Sequence, residues 1–122
     1  FDNPAYLLNF RESSEGIHFT SEFYPDEPSE KIQKFMADYK EKYAAVPGVI
    51  EANTYDMIKI MTAILEAGAE SREAFKDMLK SVRNYEGVTG RFSFDGNNDP
   101  IKEYYIMKIE DGVKILGKVK GE

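Results

Sequence analysis

The hydrophobic pattern of this 122-residue chain changes its period near Asn84, and this change constrains the fold more than any other feature. Before Asn84, apolar residues recur every three or four positions, as in helices that bury one face. After it, they alternate with polar residues, as in strands that bury one face. We therefore expect an α/β fold in which amphipathic helices pack against strands.

Four helices are predicted, near residues 3–13, 29–43, 53–67 and 72–83. Pro4 suits a first helical turn, Gly68 a helix end, and Ser71 the N-cap of the last helix. The residues expected on the buried faces of the last three helices are Ile32, Phe35, Met36, Tyr39, Tyr43, Tyr55, Ile58, Met61, Ile64, Leu65, Phe75, Met78, Leu79 and Val82. Each of these helices therefore has one apolar stripe that needs a partner surface.

Strands are predicted at residues 16–20, from Val88 to Phe94, at 104–109 and at 113–119. The stretch from Asp95 to Pro100 is rich in Asp, Asn and Gly and is predicted to be a turn. Asp111-Gly112 stands between the last two strands and is the strongest hairpin signal in the chain. A C-terminal β-hairpin should therefore close the fold.

Composition excludes several classes of function. The chain has 16 basic and 22 acidic residues, a net charge of -6, which argues against binding to nucleic acid or to an anionic membrane surface. It has no cysteine, so disulfides, thiolate metal sites and cysteine nucleophiles are ruled out. The sequence opens at Phe1 without an initiating methionine, from which we expect a processed product, with its signal peptide removed, or an excised fragment.

His18 is the only histidine, and its neighbourhood does not resemble a catalytic site. No nucleophile-elbow pattern surrounds Ser13, Ser14 or Ser21, and one histidine cannot build the multi-histidine sites usual for catalytic zinc. We expect His18 to face solvent or a structural niche, and we expect no catalytic residue and no cofactor in this chain.

Two further patterns are better interpreted without a ligand, the first as a turn and the second as a turn glycine before a strand. Asp95, Asn97 and Asp99 have the first alternating spacing of a calcium loop, but Pro100 and Ile106 occupy the positions that need Gly and Glu. The segment Gly87-Val88-Thr89-Gly90 lacks the spacing and the following helix of a dinucleotide fingerprint.

Several short motifs follow one another along the chain at regular intervals. They are Glu15-Gly16-Ile17-His18-Phe19-Thr20 with Phe23-Tyr24-Pro25, the Lys34-Phe35 to Lys42-Tyr43 helix, Tyr55-Asp56, Tyr85-Glu86-Gly87-Val88-Thr89-Gly90 to Phe94-Asp95, and Asp111-Gly112. In this order they resemble the leucine/isoleucine/valine-binding type of periplasmic binding protein, the ligand-capture subunit of ABC importers. The resemblance covers nearly the whole chain and corresponds to the last third of the longer family sequence.

The resemblance implies a C-terminal portion of a two-lobed type I periplasmic-binding-protein fold, with Rossmann-like three-layer αβα lobes built on mostly parallel sheets. It implies that residues 20–90 supply helices of the N-terminal lobe, while residues 1–19 and 91–122 supply parts of the C-terminal lobe. The hinge residues it implies are Phe19, Thr20, Gly90 and Phe92.

The resemblance also implies a partial ligand site. The groups that hold the charged ends of an amino acid lie upstream of this segment in the family, whereas Ile50 aligns with a position that lines the side-chain pocket. Glu51, Asn53 and Tyr55 lie near the same helix start, where free backbone N–H groups can add polar contacts. The alternative roles are helix capping for Asn53 and core packing for Tyr55.

The implied function is capture of a branched-chain amino acid or a related small ligand in the periplasm or outside the cell, for delivery to an ABC permease. Lipid anchoring of the complete protein is compatible with this role. One alternative is the ligand-sensing domain of a receptor or regulator with the same fold. Another is a small stand-alone α/β enzyme, for which the sequence offers no convergent catalytic groups.

The isolated chain is expected to bind amino acids negligibly and to self-associate, exchange elements between copies or require its missing N-terminal part. Half of the cleft would be absent, and unpaired strand edges would favour association. The apolar residues expected to be exposed include Phe35, Met36, Tyr39, Ile58 and Met61.

Overall fold

The computed structural model describes residues 11–121. The helices in this part of the chain are α1 (Arg11–Ser14), α2 (Glu30–Tyr43), α3 (Val49–Glu66) and α4 (Arg72–Ser81). The strands are β1 (His18–Ser21), β2 (Tyr85–Gly87), β3 (Gly90–Phe94), β4 (Pro100–Ile109) and β5 (Val113–Lys120). The predicted mixture of helices followed by strands is therefore confirmed.

Helix α2, helix α4 and the C-terminal hairpin lie where the sequence places them. The Ser71 hydroxyl accepts a hydrogen bond from the Ala74 N–H at 3.1 Å, as expected of the N-cap of α4. At the hairpin turn, Asp111 and Gly112 have φ values of 49° and 121°, in the left-handed region that favours these residue types. Residues 3–10 of the first predicted helix lie outside the described residues, and residues 11–14 are helical.

The strands form one five-stranded sheet in which β4 is the shared strand. Strand β3 pairs with residues 100–102 of β4, and β1 pairs with residues 105–108. Strand β5 pairs with residues 103–109, on the edge opposite β1, and has an irregular register between Ile106 and Met107. All pairs among the described residues are antiparallel, so the parallel strands implied by the resemblance are not among them.

Two strand predictions need correction. Val88 does not begin a strand, because it lies with Thr89 in the turn between β2 and β3. Strand β4 begins at Pro100, four residues before the predicted Tyr104. Proline is tolerated as a first strand residue, where its missing N–H is not needed by the ladder.

Helix α3 begins at Val49, four residues before the predicted start at Asn53. Gly48 is the N-cap, and its N–H donates to Oε2 of Glu51 at 2.8 Å, which is one half of a capping box. The first backbone bond of the helix runs from the Ala52 N–H to the Gly48 carbonyl at 3.1 Å. The prediction that Asn53 caps this helix is therefore wrong.

The buried face of α3 also differs from the prediction. It consists of Ala52, Asp56, Ile60 and Ile64, spaced four residues apart. Of the five residues predicted to face inward, only Ile64 is buried, whereas Tyr55, Ile58, Met61 and Leu65 are exposed. The buried face was missed because Asp56 is polar and Ala52 is small, so the larger apolar residues defined the stripe.

Two clusters of buried side chains hold the helices against the strands. The first includes residues of α2 and consists of Phe23, Ile32, Phe35, Ala52 and Val88. The second is covered by half-buried residues of α4 and consists of Ile60, Ile64, Phe92 and Phe94. Phe35 was expected to be exposed in the isolated chain and is in fact buried, while Met36 and Tyr39 are half-buried. Tyr43, predicted to be inward, is exposed, and its ring lies 4.6 Å from that of Tyr39 in a tilted arrangement.

The carboxylate of Asp56 joins α3 to the turn between β2 and β3. Its Oδ1 accepts the Val88 N–H at 2.9 Å, and its Oδ2 accepts the Thr89 N–H at 2.8 Å and the Thr89 hydroxyl at 2.7 Å. A Cβ on Gly87 would lie only 2.2 Å from Oδ2, so glycine is needed for the backbone to approach so closely. The sequence predicted only a turn glycine here, followed directly by a strand; the turn in fact comprises Val88 and Thr89, and Asp56 is the group around which it folds.

Asp56→Ala should destabilise the fold by about 3 kcal/mol or more, because it leaves two N–H groups and a hydroxyl buried without a partner. Asp38→Ala is the matched control, since Asp38 is exposed on α2 and contacts only Lys34 among the described residues. Urea unfolding followed by circular dichroism should give a lower midpoint for Asp56→Ala and a nearly unchanged one for Asp38→Ala. Equal midpoints for the two variants would contradict this role of Asp56.

Candidate functional site

The four predicted ligand-site residues lie in the first two turns of α3, and their side chains have different surroundings. Ile50 is 73% exposed. The Glu51 carboxylate is occupied by the capping hydrogen bond from Gly48. The ring of Tyr55 lies 4.9 Å from that of Phe35 in α2, but Tyr55 is 40% exposed, so it packs at the edge of the core and not within it.

Asn53 faces β4 and contacts a buried cation. Its Oδ1 accepts a hydrogen bond from Nζ of Lys102 at 2.7 Å. The same ammonium donates to Oε2 of Glu22 at 2.7 Å and lies 5.0 Å from the centre of the Phe92 ring. Sequence reasoning missed Lys102, which is 5% exposed, because strict alternation with the buried Tyr105, Met107 and Ile109 would place residue 102 on the opposite face of the strand.

The predicted hinge residues lie on the two strands that flank successive parts of β4. Phe19 and Thr20 in β1 pair with Met107 and Ile106. Gly90 begins β3 with a φ of 88°, and Phe92 pairs with Lys102. Strand β4 therefore changes partner between Lys102 and Tyr105.

The loop after β1 is held against β5 as well as β4. Glu27 accepts a hydrogen bond from Nζ of Lys118 at 3.0 Å, and that ammonium lies 4.6 Å from the centre of the Tyr105 ring. Burial, followed by the nearby Glu27 carboxylate, raises the pKa of Tyr105, so its phenol stays neutral beside the cation. The region where β4 changes partner is thus bordered by two lysine–glutamate pairs.

The other residues that the sequence singled out lie apart from this region or in turns. His18 is exposed on β1 opposite Lys108, in agreement with the expectation that it faces solvent. Oδ1 of Asp95 accepts the N–H groups of Asn97 and Asp99 at 2.7 and 2.8 Å, so this segment is a turn as predicted. Within residues 11–121, no cluster of three acidic or histidine side chains could hold a metal ion.

Helix α3 is the longest helix of the described part, and it is not apolar enough to cross a membrane; neither is any other helix there.

The fold matches solved structures of binding proteins. The leucine-binding protein LivK of Thermotoga maritima shares 30% identity and a TM-score of 0.78 over 97% of this chain and 35% of its own. LivJ of Streptococcus pneumoniae, a branched-chain amino acid transporter substrate-binding protein solved with isoleucine, shares 31% identity and a TM-score of 0.74 over 90% of this chain and 32% of its own. The chain thus spans about a third of the length of these structures.

A solute-binding protein of an ABC transporter from Rhodopseudomonas palustris, solved with 3,4-dihydroxybenzoic acid, reaches a TM-score of 0.81 at 22% identity. It covers 98% of this chain and 35% of its own, and at that identity it supports the fold alone. No curated protein sequence matches the chain.

A sequence profile of the periplasmic binding protein family matches residues 6–114, which is most of the 122 residues. The match agrees with the expectation of a binding protein and not an enzyme, and with a fragment of the type I fold. The chain belongs to the periplasmic binding protein family.

Proposed function

We propose that the complete protein captures a branched-chain amino acid or a related small ligand and delivers it to an ABC permease. The observation that carries this proposal is the joint match in sequence and fold to LivK and LivJ, at 30% and 31% identity. Both are named for leucine or for branched-chain amino acids. We place the complete protein in the periplasm or on the outer face of the cell membrane, where a lipid anchor could hold it.

We further propose that β4 runs through the hinge between the two lobes. Helices α2 to α4 with β2 and β3 would belong to the N-terminal lobe, and β1, β5 and the second half of β4 to the C-terminal lobe. The support is that β4 exchanges β3 for β1 as its partner after Lys102. This keeps a crossing next to Phe19 and Thr20, but moves the second boundary from Gly90 and Phe92 to residues 103–104 of β4.

Within this arrangement, Ile50 is the predicted site residue best placed to meet a ligand through its side chain. It stands at the exposed start of α3, whereas Glu51, Asn53 and Tyr55 are engaged by Gly48, Lys102 and Phe35. The first turn of a helix also presents unpaired backbone N–H groups. We propose that Ile50 faces the cleft and limits the size of the ligand's apolar group.

The complete protein should bind leucine, isoleucine or valine in isothermal titration calorimetry, with affinities above those for benzoate and for charged amino acids. Benzoate is the informative competitor, because proteins with the same fold but lower identity were solved with benzoate and with 3,4-dihydroxybenzoic acid. Binding of aromatic acids alone would contradict the proposed ligand class and leave the fold assignment intact.

Ile50→Phe should change the preference among leucine, isoleucine and valine by about 1–3 kcal/mol, the usual scale for reshaping an apolar pocket. Ile58→Phe is the matched control, since Ile58 is also exposed on α3 but lies two turns further along. Calorimetry with the three ligands measures the difference. Unchanged preferences in Ile50→Phe would assign Ile50 a purely structural role.

The 122-residue chain by itself should self-associate and bind these amino acids negligibly. Its α3 apolar stripe, defined as Ile50, Met57, Ile58, Met61 and Leu65, is exposed along the length of the helix. Such a contiguous apolar surface favours association, and half a cleft cannot desolvate a ligand. Analytical ultracentrifugation with and without leucine, isoleucine and valine tests both expectations, and a monomer that binds at micromolar affinity would contradict them.

A further inference from the structure

Lys102 is a buried lysine whose ammonium makes three contacts at the point where β4 leaves β3. It is 5% exposed, and it bonds Glu22 and Asn53 at 2.7 Å each while lying over the ring of Phe92. Burying an ammonium is unfavourable unless several partners compensate for the lost water. An apolar side chain of similar length would fill the same space without this requirement. Packing alone therefore does not require a lysine at this position, and the polar contacts of its ammonium indicate a further role.

Lys102 lies in β4 and is bonded to the residues that directly follow β1 and β5. Glu22 directly follows β1, and Lys102 itself lies at the change of partner in β4. Gly121, which directly follows β5, donates its N–H to the Lys102 carbonyl at 2.7 Å. One residue therefore links all three segments: its side chain bonds Glu22 after β1, and its main chain bonds Gly121 after β5.

Asn53 adds a fourth element, the start of α3. It is three residues from Ile50, so the two residues lie about one turn apart at the start of the same helix. A displacement of Asn53 relative to β4 should move Ile50 as well, because both residues belong to the first turns of the same α-helix. The hydrogen bond from Lys102 to Asn53 thus sets the distance between the helix start and β4.

We propose that Lys102 is a positioning residue that fixes the ligand-facing start of α3 to the segments crossing between the lobes. The proposal rests on the proposed function, in which Ile50 faces the cleft and β4 runs through the hinge. Asn53 then acts on the ligand through the placement of α3 and not by direct contact.

The test compares Lys102→Met and Asn53→Ala in the complete protein, with Lys118→Met as control. Lys118 also bonds a glutamate of the loop after β1, but it has no contact with α3 among the described residues. Lys102→Met and Asn53→Ala should each weaken amino-acid binding about three- to tenfold, the scale of one lost hydrogen bond. Lys118→Met should leave affinity unchanged, and Asn53→Asp, whose carboxylate still accepts from Lys102, should retain it.

The double variant separates positioning from direct contact. If Asn53 acts only through Lys102, then Lys102→Met with Asn53→Ala should bind no more weakly than Lys102→Met alone. Additive losses would show that Asn53 touches the ligand independently and would overturn the proposal. So would a fall in the unfolding midpoint of Asn53→Ala with unchanged ligand affinity.

A second readout does not depend on ligand. Backbone amide hydrogen exchange in the first turns of α3 should be faster in Lys102→Met and Asn53→Ala than in wild type, and unchanged in Lys118→Met. If the wild-type protein binds none of the amino acids, the proposed function fails while this measurement still tests the positioning role. Unchanged exchange in both variants would overturn that role whatever the ligand is.

Discussion

The hydrogen bonds between the buried Asp56 carboxylate and the turn at Val88 and Thr89 fix the rest of the structure. They hold the longest helix to the hairpin of β2 and β3, and that hairpin pairs with β4. A buried carboxylate with unmet partners would be strongly unfavourable, so helix and turn have one favourable arrangement. Asn53, which bonds Lys102, and Ile50 precede Asp56 on the helix that these bonds hold in place.

Local sequence patterns were sufficient to predict the helices and turns whose boundaries depend only on neighbouring residues. The stripe of Ile32 and Phe35, the cap at Ser71 and the turn at Asp111-Gly112 each specify structure within a few neighbours. Helix α3 was harder, because Gly48 offers no capping side chain to recognise. Its buried face was misassigned since the residue that matters most, Asp56, is polar and is paired 32 positions away.

In the candidate site too, features set by neighbouring residues could be predicted, whereas features set by long-range contacts could not. Ile50 could be proposed by resemblance, and its exposure depends on the helix alone. The engagement of Asn53 by Lys102 joins residues 49 positions apart and leaves no local signature. The partner exchange of β4 likewise arises from long-range pairing, whereas hydrophobic alternation predicts only that a strand exists. The change of partner along β4, on which the proposed hinge rests, was therefore invisible to local sequence patterns.

The most direct test of the central claim, that this chain contributes to two lobes that close on a ligand across β4, is a distance measurement between them. Spin labels on cysteines introduced at the exposed positions Ser81 in α4 and Lys114 in β5 would report it, and these 122 residues contain no cysteine of their own. Pulsed electron paramagnetic resonance on the complete protein should show this distance shift when a branched-chain amino acid is added. A second pair at Asp38 and Ser81, within one proposed lobe, should keep its distance. An unchanged distance between positions 81 and 114 at saturating ligand would contradict the account.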